Sequence, residues 1–174
     1  MTMSAGARAG QFFRALEARH HPPDTAPARA VLPGDLFDLF ERMPPEDQRH
    51  GLAVLALLLG RGETDPPLLQ AALLHDLGKA EAGVGLPHRV GRVLLRRWAR
   101  PLWRWLSGWP TGWRRPFWAI AHHPARGAGW VETAGGGSDL AALIRYHEAR
   151  PPADWAGTDL ARWHAALAWA DAQD

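Results

Sequence analysis

Cysteine is absent from the 174 residues of this chain. Disulfide bonds and thiolate metal sites are therefore excluded, so any metal ion would have to be bound by His, Asp or Glu side chains. Long hydrophobic runs are also absent, since the longest, Leu52 to Leu59, is far shorter than the ~20 apolar residues that span a bilayer. The N-terminal residues contain no apolar run of signal-peptide length, and we therefore expect a cytoplasmic protein.

Lysine is almost absent as well. Of the 20 basic residues, Lys79 is the one that is not arginine, and it lies in the segment HDLGK. An ammonium group is a compact point charge that suits a single phosphate oxygen, whereas a guanidinium group is a broad planar fork. The formal net charge is +2, so acidic residues nearly balance the arginines over the whole chain. The exceptional lysine therefore directs attention to HDLGK.

The apolar pattern predicts an all-α domain. From Gly34 onward, apolar residues recur at intervals of three and four, and no segment shows the period-two alternation that is typical of strands. We predict a single helical bundle of about six to eight helices over residues 34–174. Gly78 is expected to cap the third predicted helix, and Pro101 to kink the fourth. The predicted helices cover residues 36–40, 45–59, 68–77, 89–106, 112–122, 138–147 and 158–172.

Residues 1–33 are predicted to form an N-terminal extension of this domain. A short helical pattern covers residues 11–20, and a linker rich in Pro and Ala, HHPPDTAPARAVLP, follows it. We expect the extension to have little hydrophobic core of its own.

The strongest chemical signal is the adjacent pair His75-Asp76 at a predicted helix end. An imidazole and a carboxylate in this position can both reach one cation, and the two oxygens of a carboxylate can bridge two metal ions. His50 precedes the apolar run GLAVLALLL, and Asp171 lies in the apolar segment AWAD. An ionised carboxylate buried in such surroundings requires a cationic partner. These four residues are therefore candidate metal ligands.

This order of residues resembles the HD superfamily of metal-dependent phosphohydrolases. His50, the pair His75-Asp76 and the distant Asp171 match its His, HD, Asp signature, and HDLGK follows its HD-x-GK form. The resemblance covers about residues 34–174 and implies a helical HD domain. It also implies that these four residues bind a first metal ion and that Lys79 contacts substrate phosphate.

Two further segments are similar to those of HD-GYP proteins. The segment AHHPARG resembles their HP-x-x-G segment and implies that His123 is an additional metal ligand, with His122 as a competitor. The segment IRYHE resembles their HHE segment and implies the same role for His147. Asp76 would then bridge two metals, and Glu46 matches a carboxylate used for a third. The GYP segment itself is missing, so hydrolysis of cyclic di-GMP is not implied.

The resemblance implies a metal-dependent phosphohydrolase acting on a phosphomonoester or phosphodiester, with nucleotides among the candidate substrates. Asp76 and Lys79 would carry catalysis, and Arg145 and His88 are further candidates for substrate binding. The cofactor would be one or two divalent ions, from among Fe, Mn, Co, Ni and Zn, because all the ligands are N and O donors. Two alternatives remain open. One is a di-iron oxygenase of the HD fold, and the other is a non-catalytic regulatory module that binds metal or nucleotide.

Residues 89–118 combine arginine and tryptophan without any acidic residue. Their apolar side chains recur at intervals of three and four residues and define one helix face. Arginines occupy much of the remaining helix surface. This face could pack on the domain core or on a second subunit, or it could rest on an anionic membrane surface. Nucleic-acid binding is not favoured, because no recognised binding motif accompanies the arginines. The face consists of Leu94, Leu95, Trp98, Leu102, Trp105, Leu106 and Trp109.

Overall fold

The computed structural model describes residues 22–80, 83–84 and 86–173. Over this part of the chain it contains nine α-helices, three short 3-10 turns and no strand, which confirms the prediction of an all-α fold. The helix predicted over residues 11–20 lies outside the described residues. The α-helices are α1 (Ala26–Val31), α2 (Gly34–Glu41), α3 (Pro45–Gly60), α4 (Pro66–Leu74), α5 (Leu86–Trp98), α6 (Arg100–Leu106), α7 (Arg115–Thr133), α8 (Ser138–Tyr146) and α9 (Asp159–Asp171).

Helix α4 lies at the centre of the bundle. It packs against α3, α8 and α9, and six of its nine residues are buried. A helix that is apolar on all sides is stable only where other helices surround it. The C-terminal end of α4 therefore lies inside the protein, and this end carries His75 and Asp76. The largest fully buried side chains of the surrounding core include Leu55, Leu58, Leu68, Leu73, Leu143, Ile144 and Leu167.

The prediction that α4 ends at Gly78 is wrong. The helix ends at Leu74, and residues Leu77–Lys79 form a separate 3-10 turn that packs against α7. Gly78 does not have the positive φ of a helix cap. Its role is steric, because a Cβ added there would lie 2.0 Å from the backbone oxygen of His123. Glycine is thus required for the turn to contact α7.

The described part of the predicted linker contains a helix that packs on the domain. Residues Ala26–Val31 form α1, with a proline in its first turn. Ala28 and Leu32 are buried in the main hydrophobic cluster, and α1 packs against α4. A composition rich in Pro and Ala is typical of linkers, but a Pro at a helix N-terminus followed by alanines is equally compatible with a helix.

Two predicted helix boundaries differ for reasons connected with proline. The helix predicted over residues 89–106 is broken rather than kinked, because Ala99 adopts φ −138° and ψ 55° and Pro101 lies in the first turn of α6. Conversely, the helix predicted to end at residue 122 continues to Thr133 with Pro124 inside it. Tight packing of α7 against α8 and the 3-10 turn maintains the helix across that proline.

Of the alternatives for the apolar face of residues 94–109, packing on the domain core does not hold for most of the face. Leu106 is buried, but most of the large side chains on this face are exposed, and Trp98 is 77% exposed. Helix α5 packs against α6 and α7 and leaves its tryptophan, Trp98, in solvent. No helix within the described ranges is long and apolar enough to cross a bilayer.

Candidate metal centre

The first group of possible ligands joins three helices. His50 lies on α3, His75 follows the last residue of α4, and Asp171 is the last residue of α9. The Nε2 atom of His50 is 3.2 Å from Nε2 of His75 and 2.9 Å from Oδ1 of Asp171, and His75 Nε2 is 3.5 Å from the same oxygen. Three N and O donor atoms therefore converge on one point, and we call this group the first triad.

A second group lies directly beside it and is called the second triad. It consists of Asp76, His123 on α7 and His147, which follows the last residue of α8. The two Nε2 atoms are 3.1 Å apart, and Oδ1 of Asp76 is 3.4 Å from His123 and 3.9 Å from His147. All three residues are buried.

The two triads form one composite site. His75 and Asp76 are consecutive residues, and Nε2 of His75 is 4.0 Å from Oδ1 of Asp76. The ring of His75 also meets that of His147 edge to face, with the centroids 5.2 Å apart. The HD pair therefore contributes one donor atom to each triad, and these two donor atoms are 4.0 Å apart. The sequence-based prediction that Asp76 could serve two metals is compatible with this position.

Close backbone approaches bring the ligands together. A Cβ at Gly51, next to His50, would lie 3.0 Å from the backbone oxygen of Leu73, so glycine lets α3 approach the end of α4. Gly78 in the same way lets the 3-10 turn reach α7 at His123. Gly127 completes this contact from α7, because a Cβ there would lie 3.2 Å from the backbone nitrogen of Gly78. Gly51 and Gly78 lie within two residues of a candidate ligand, and Gly127 lies four residues after His123 on α7.

Helix ends and a proline determine the orientation of three histidine rings. In each, Nδ1 donates to the carbonyl oxygen three residues earlier, at 3.1 Å for His75, 2.8 Å for His123 and 2.7 Å for His147. For His75 and His147 that carbonyl is free because the helix ends there. For His123 the acceptor is Ile120, and Pro124 has no N–H to bond the same oxygen. This bond leaves Nε2 of each ring directed into the site.

This arrangement fits a metal cation. A carbonyl oxygen can only accept, so Nδ1 carries a proton in both rings, and the Nε2 atoms of His123 and His147 face each other at 3.1 Å. Two facing lone pairs repel unless a cation or a proton lies between them. Burial, together with the charges of His75 and His123, lowers the pKa of His147 to about 4, which opposes the proton.

The spacing of the donor atoms supports the same conclusion. Two imidazole nitrogens at ~2.1 Å from one metal ion are separated by about 3.0 Å in octahedral and about 3.4 Å in tetrahedral geometry. The separations in the first triad run from 2.9 to 3.5 Å and those in the second from 3.1 to 3.9 Å. Both triads are therefore compatible with a divalent cation bound by N and O donors.

The carboxylates of the site are held in the ionised form. Hydrogen bonds from His50 and His75 outweigh burial and lower the pKa of Asp171 far below its ordinary value. Burial alone would raise the pKa of Asp76, but His75, His123 and Lys79 together lower it well below that value. Ionised carboxylates are the form that binds metal.

The side chain of Lys79 is paired with Asp76. Its Nζ donates to Oδ2 of Asp76 at 2.5 Å, and both side chains are almost fully buried. The lysine therefore neutralises one oxygen of Asp76 and leaves the other, Oδ1, directed at the histidines.

The structure separates the remaining candidate residues from the triads. His122 is exposed and stacks on Trp118, so His123 is the histidine of this pair that enters the site. His88 packs edge to face on Phe117, and Glu46 is exposed on the first turn of α3. Neither belongs to a triad. Arg145 is exposed and pairs with Glu132 at 3.0 Å.

Sequence reasoning missed Glu148 and Arg92. Oε1 of Glu148 is 3.6 Å from Nε2 of His123 and accepts a hydrogen bond of 2.6 Å from Arg92 on α5. The charges of His123 and Arg92 lower the pKa of Glu148 against the opposing effect of burial. Glu148 follows His147 directly, which could have indicated its position. Arg92 could not be found in this way, because it comes from a distant helix. Comparison of the chain with family models, with curated proteins and with solved structures finds no match.

Proposed function

We propose that the protein is a metal-dependent phosphohydrolase of the HD type. The observation that carries the proposal is the pair of adjacent N and O triads, joined through His75-Asp76 in the interior of a helical bundle. The match of these residues to the HD signature supports it independently of their geometry. A site built in this way is typical of the hydrolysis of phosphate esters.

The residues present assign the ligands. His50, His75 and Asp171 would hold one divalent ion, His123 and His147 would hold a second, and Asp76 would contact both. Such ions supply a lowered pKa of water and polarisation of the phosphoryl group. N and O donors suit Fe, Mn, Co, Ni or Zn.

The chain also provides cationic side chains where a phosphate would enter. A cavity of about 210 Å³ beside the second triad is lined by Lys79, Arg92, Val93 and Ile120. Lys79 holds Asp76 in position, and the guanidinium group of Arg92 is held by Glu148. An anionic group in this cavity would meet these two cations.

Metal analysis with a phosphoester screen tests the proposal. Protein purified without chelator should contain divalent metal and hydrolyse p-nitrophenyl phosphate, bis-p-nitrophenyl phosphate or a nucleotide. We expect His75→Ala and Asp76→Ala to lose most of the metal and all hydrolysis. The matched control is His122→Ala, because His122 neighbours a ligand but is exposed and belongs to neither triad. Full metal content and activity in either site variant would refute the proposal.

The same experiment separates the two alternatives. A regulatory module would retain metal and show no turnover on any phosphoester. A di-iron oxygenase would contain iron and would turn over its substrate in aerobic but not in anaerobic assays. The lysine and arginine in the cavity beside the second triad favour the hydrolase, because they suit an anionic substrate.

A further inference from the structure

Four arginines form a ladder on α5 and α6. Arg92, Arg96, Arg100 and Arg104 recur every four residues, and the break between the two helices does not interrupt the spacing. The last three line one cavity of about 680 Å³, which Arg145 of α8 completes. We call this cavity the arginine groove.

The arginine groove carries an excess of positive charge. Of the residues that line it, four are arginines and one, Glu148, is acidic. That carboxylate already receives Arg92 at 2.6 Å and Arg96 at 3.9 Å, so it cannot also neutralise Arg100 and Arg104. Arg145 pairs at 3.0 Å with Glu132, which does not line the groove. Guanidinium groups gathered in a concave site are typical of phosphate recognition.

The groove adjoins the metal centre. Glu148 lines it, and Oε1 of Glu148 is 3.6 Å from Nε2 of His123 in the second triad. A volume of about 680 Å³ lies in the range of sites that hold whole small molecules, about 300–1,000 Å³, and far exceeds what one phosphate requires. A substrate whose reacting phosphate lies at the triads would extend into this space.

We propose that the arginine groove is a subsite for a second phosphate group, so that the substrate carries two or more separated phosphates. This inference rests on the proposed function for the position of the first phosphate. The second phosphate would be held by Arg100, Arg104 and Arg145 and does not react. Binding of this second phosphate would let the groove determine which phosphate esters the protein accepts.

Binding of two sugar phosphates that differ by one phosphate tests the groove. Full-length, metal-loaded protein is titrated calorimetrically with fructose 1,6-bisphosphate and with fructose 6-phosphate, which serve as probes. We expect the bisphosphate to bind at least about tenfold more tightly, since each charge-assisted hydrogen bond contributes a factor of about ten or more. In Arg100→Gln/Arg104→Gln this preference should fall to about twofold or less. The matched control is Arg97→Gln/Arg115→Gln, which removes the same charge at exposed positions outside the groove.

The outcomes separate the groove from the proposed function. Equal affinity for the two probes in the wild type, or an equal loss of preference in both double variants, overturns the groove. The same two titrations are repeated with chelator-treated protein, which measures binding to the groove without metal at the triads. A preference that depends on Arg100 and Arg104 in protein that hydrolyses no phosphoester would support the groove and count against the hydrolase. Hydrolysis without any such preference would support the hydrolase and count against the groove.

A second, independent observation is the exposed apolar surface of residues 90–113. Its most exposed members are Trp98 at 77%, Trp113 at 67% and Val93 at 66%, and none of its residues lines the arginine groove. Surfaces of this kind on a single chain mark sites of association. The tryptophan face, as we call it, consists of Val90, Val93, Leu94, Trp98, Leu102, Trp105, Trp109 and Trp113.

The charge around the tryptophan face identifies its partner. Residues 83–131 contain no Asp or Glu, and Arg97 and Arg115 are exposed beside the face. A second copy docked through the same face would bring like charges together. An anionic lipid surface is complementary instead, because tryptophan is stable at the membrane interface and arginine at the headgroups. We infer that this face docks on anionic membranes.

Vesicle co-sedimentation tests this inference. The full chain should sediment with vesicles of phosphatidylglycerol and phosphatidylcholine, less so at raised salt, and not with phosphatidylcholine alone. Trp98→Ala/Trp109→Ala and Arg97→Gln/Arg115→Gln should each reduce binding severalfold. Trp169→Ala, an exposed tryptophan on α9, is the control and should leave binding unchanged. Absence of binding at low salt, or a dimer in light scattering that Trp98→Ala dissociates, would overturn the membrane assignment.

Discussion

Substitution of Gly78 by alanine should separate the two triads. A Cβ at this position would lie 2.0 Å from the backbone oxygen of His123 and 2.7 Å from its Cα. Both partners are backbone, so no side chain can rotate out of the way. Ordinary contact begins near 3.4 Å, and the 3-10 turn must therefore move about 1.4 Å away from α7.

A displacement of that size decides the outcome for the second triad. Asp76 lies two residues before Gly78, and its Oδ1 is 3.4 Å from Nε2 of His123. Ligand distances in metal sites tolerate a deviation of about 0.2 Å, far less than the required movement. We therefore expect Gly78→Ala to lose the metal of the second triad. His50 and Asp171 lie on α3 and α9, and His75 is held at the end of α4, before the displaced turn. The first triad therefore loses at most its contact with Asp76 and should retain its metal.

Metal stoichiometry and thermal unfolding measure both effects. Wild-type protein saturated with Mn²⁺ should bind two ions and Gly78→Ala one. Overpacking of this kind costs about 1–3 kcal/mol, which corresponds to a decrease in Tm of about 2–12 °C for a chain of this length. The control is Gly129→Ala on α7, where an added Cβ meets nothing within 4 Å. If Gly78→Ala binds two ions with the wild-type Tm, the steric argument is refuted.

Three further predictions follow from the second triad. His123→Gln/His147→Gln should bind one Mn²⁺ where the wild type binds two, and a wild type that saturates at one ion would contradict the two-metal site. In chelator-treated protein, the contribution of His147 to the free energy of unfolding should fall by at most about 3 kcal/mol as pH falls from 6.5 to about 4, because its imidazole takes up a proton in the unfolded chain before it does so when buried. Chemical denaturation across that range should show a flatter profile in His147→Gln. Pro124→Ala restores an N–H that competes for the Ile120 carbonyl, so we expect weaker binding of the second ion by calorimetry without loss of helix content.

The parts of the fold that sequence predicts well depend on local signals. Helices α3, α8 and α9 begin and end within two residues of their predicted bounds, because a proline or an acidic first turn marks their starts and the apolar period is regular. The errors at Gly78 and Pro124 have a common cause. Both residues have strong local preferences that contacts between the turn and α7 override. Such contacts join residues far apart in the chain and leave no local pattern.

The candidate site shows the same division. The six residues matched to HD-type signatures do lie together in two triads, although their function stays a prediction. The arginine groove could not be predicted from the sequence. The ladder on α5 and α6 forms one wall of a cavity only because residues of α7 and α8 form the opposite wall. The same arginines in an isolated amphipathic helix would indicate no more than a basic surface.

Three histidines of the site lie where the regular hydrogen bonding of a helix is interrupted, and this interruption fixes the orientation of their rings. A histidine inside a regular helix finds every nearby carbonyl already bonded, so its Nδ1 competes with the backbone and its ring orientation varies. His75 and His147 follow the last residues of α4 and α8, and His123 precedes a proline, so each has an unbonded carbonyl three residues earlier. His122, one residue away, instead bonds the carbonyl of Trp118 and remains at the surface. These three candidate ligands are therefore the histidines for which an interrupted backbone directs Nε2 inward. In the sequence, the interruption is visible in one case, as Pro124.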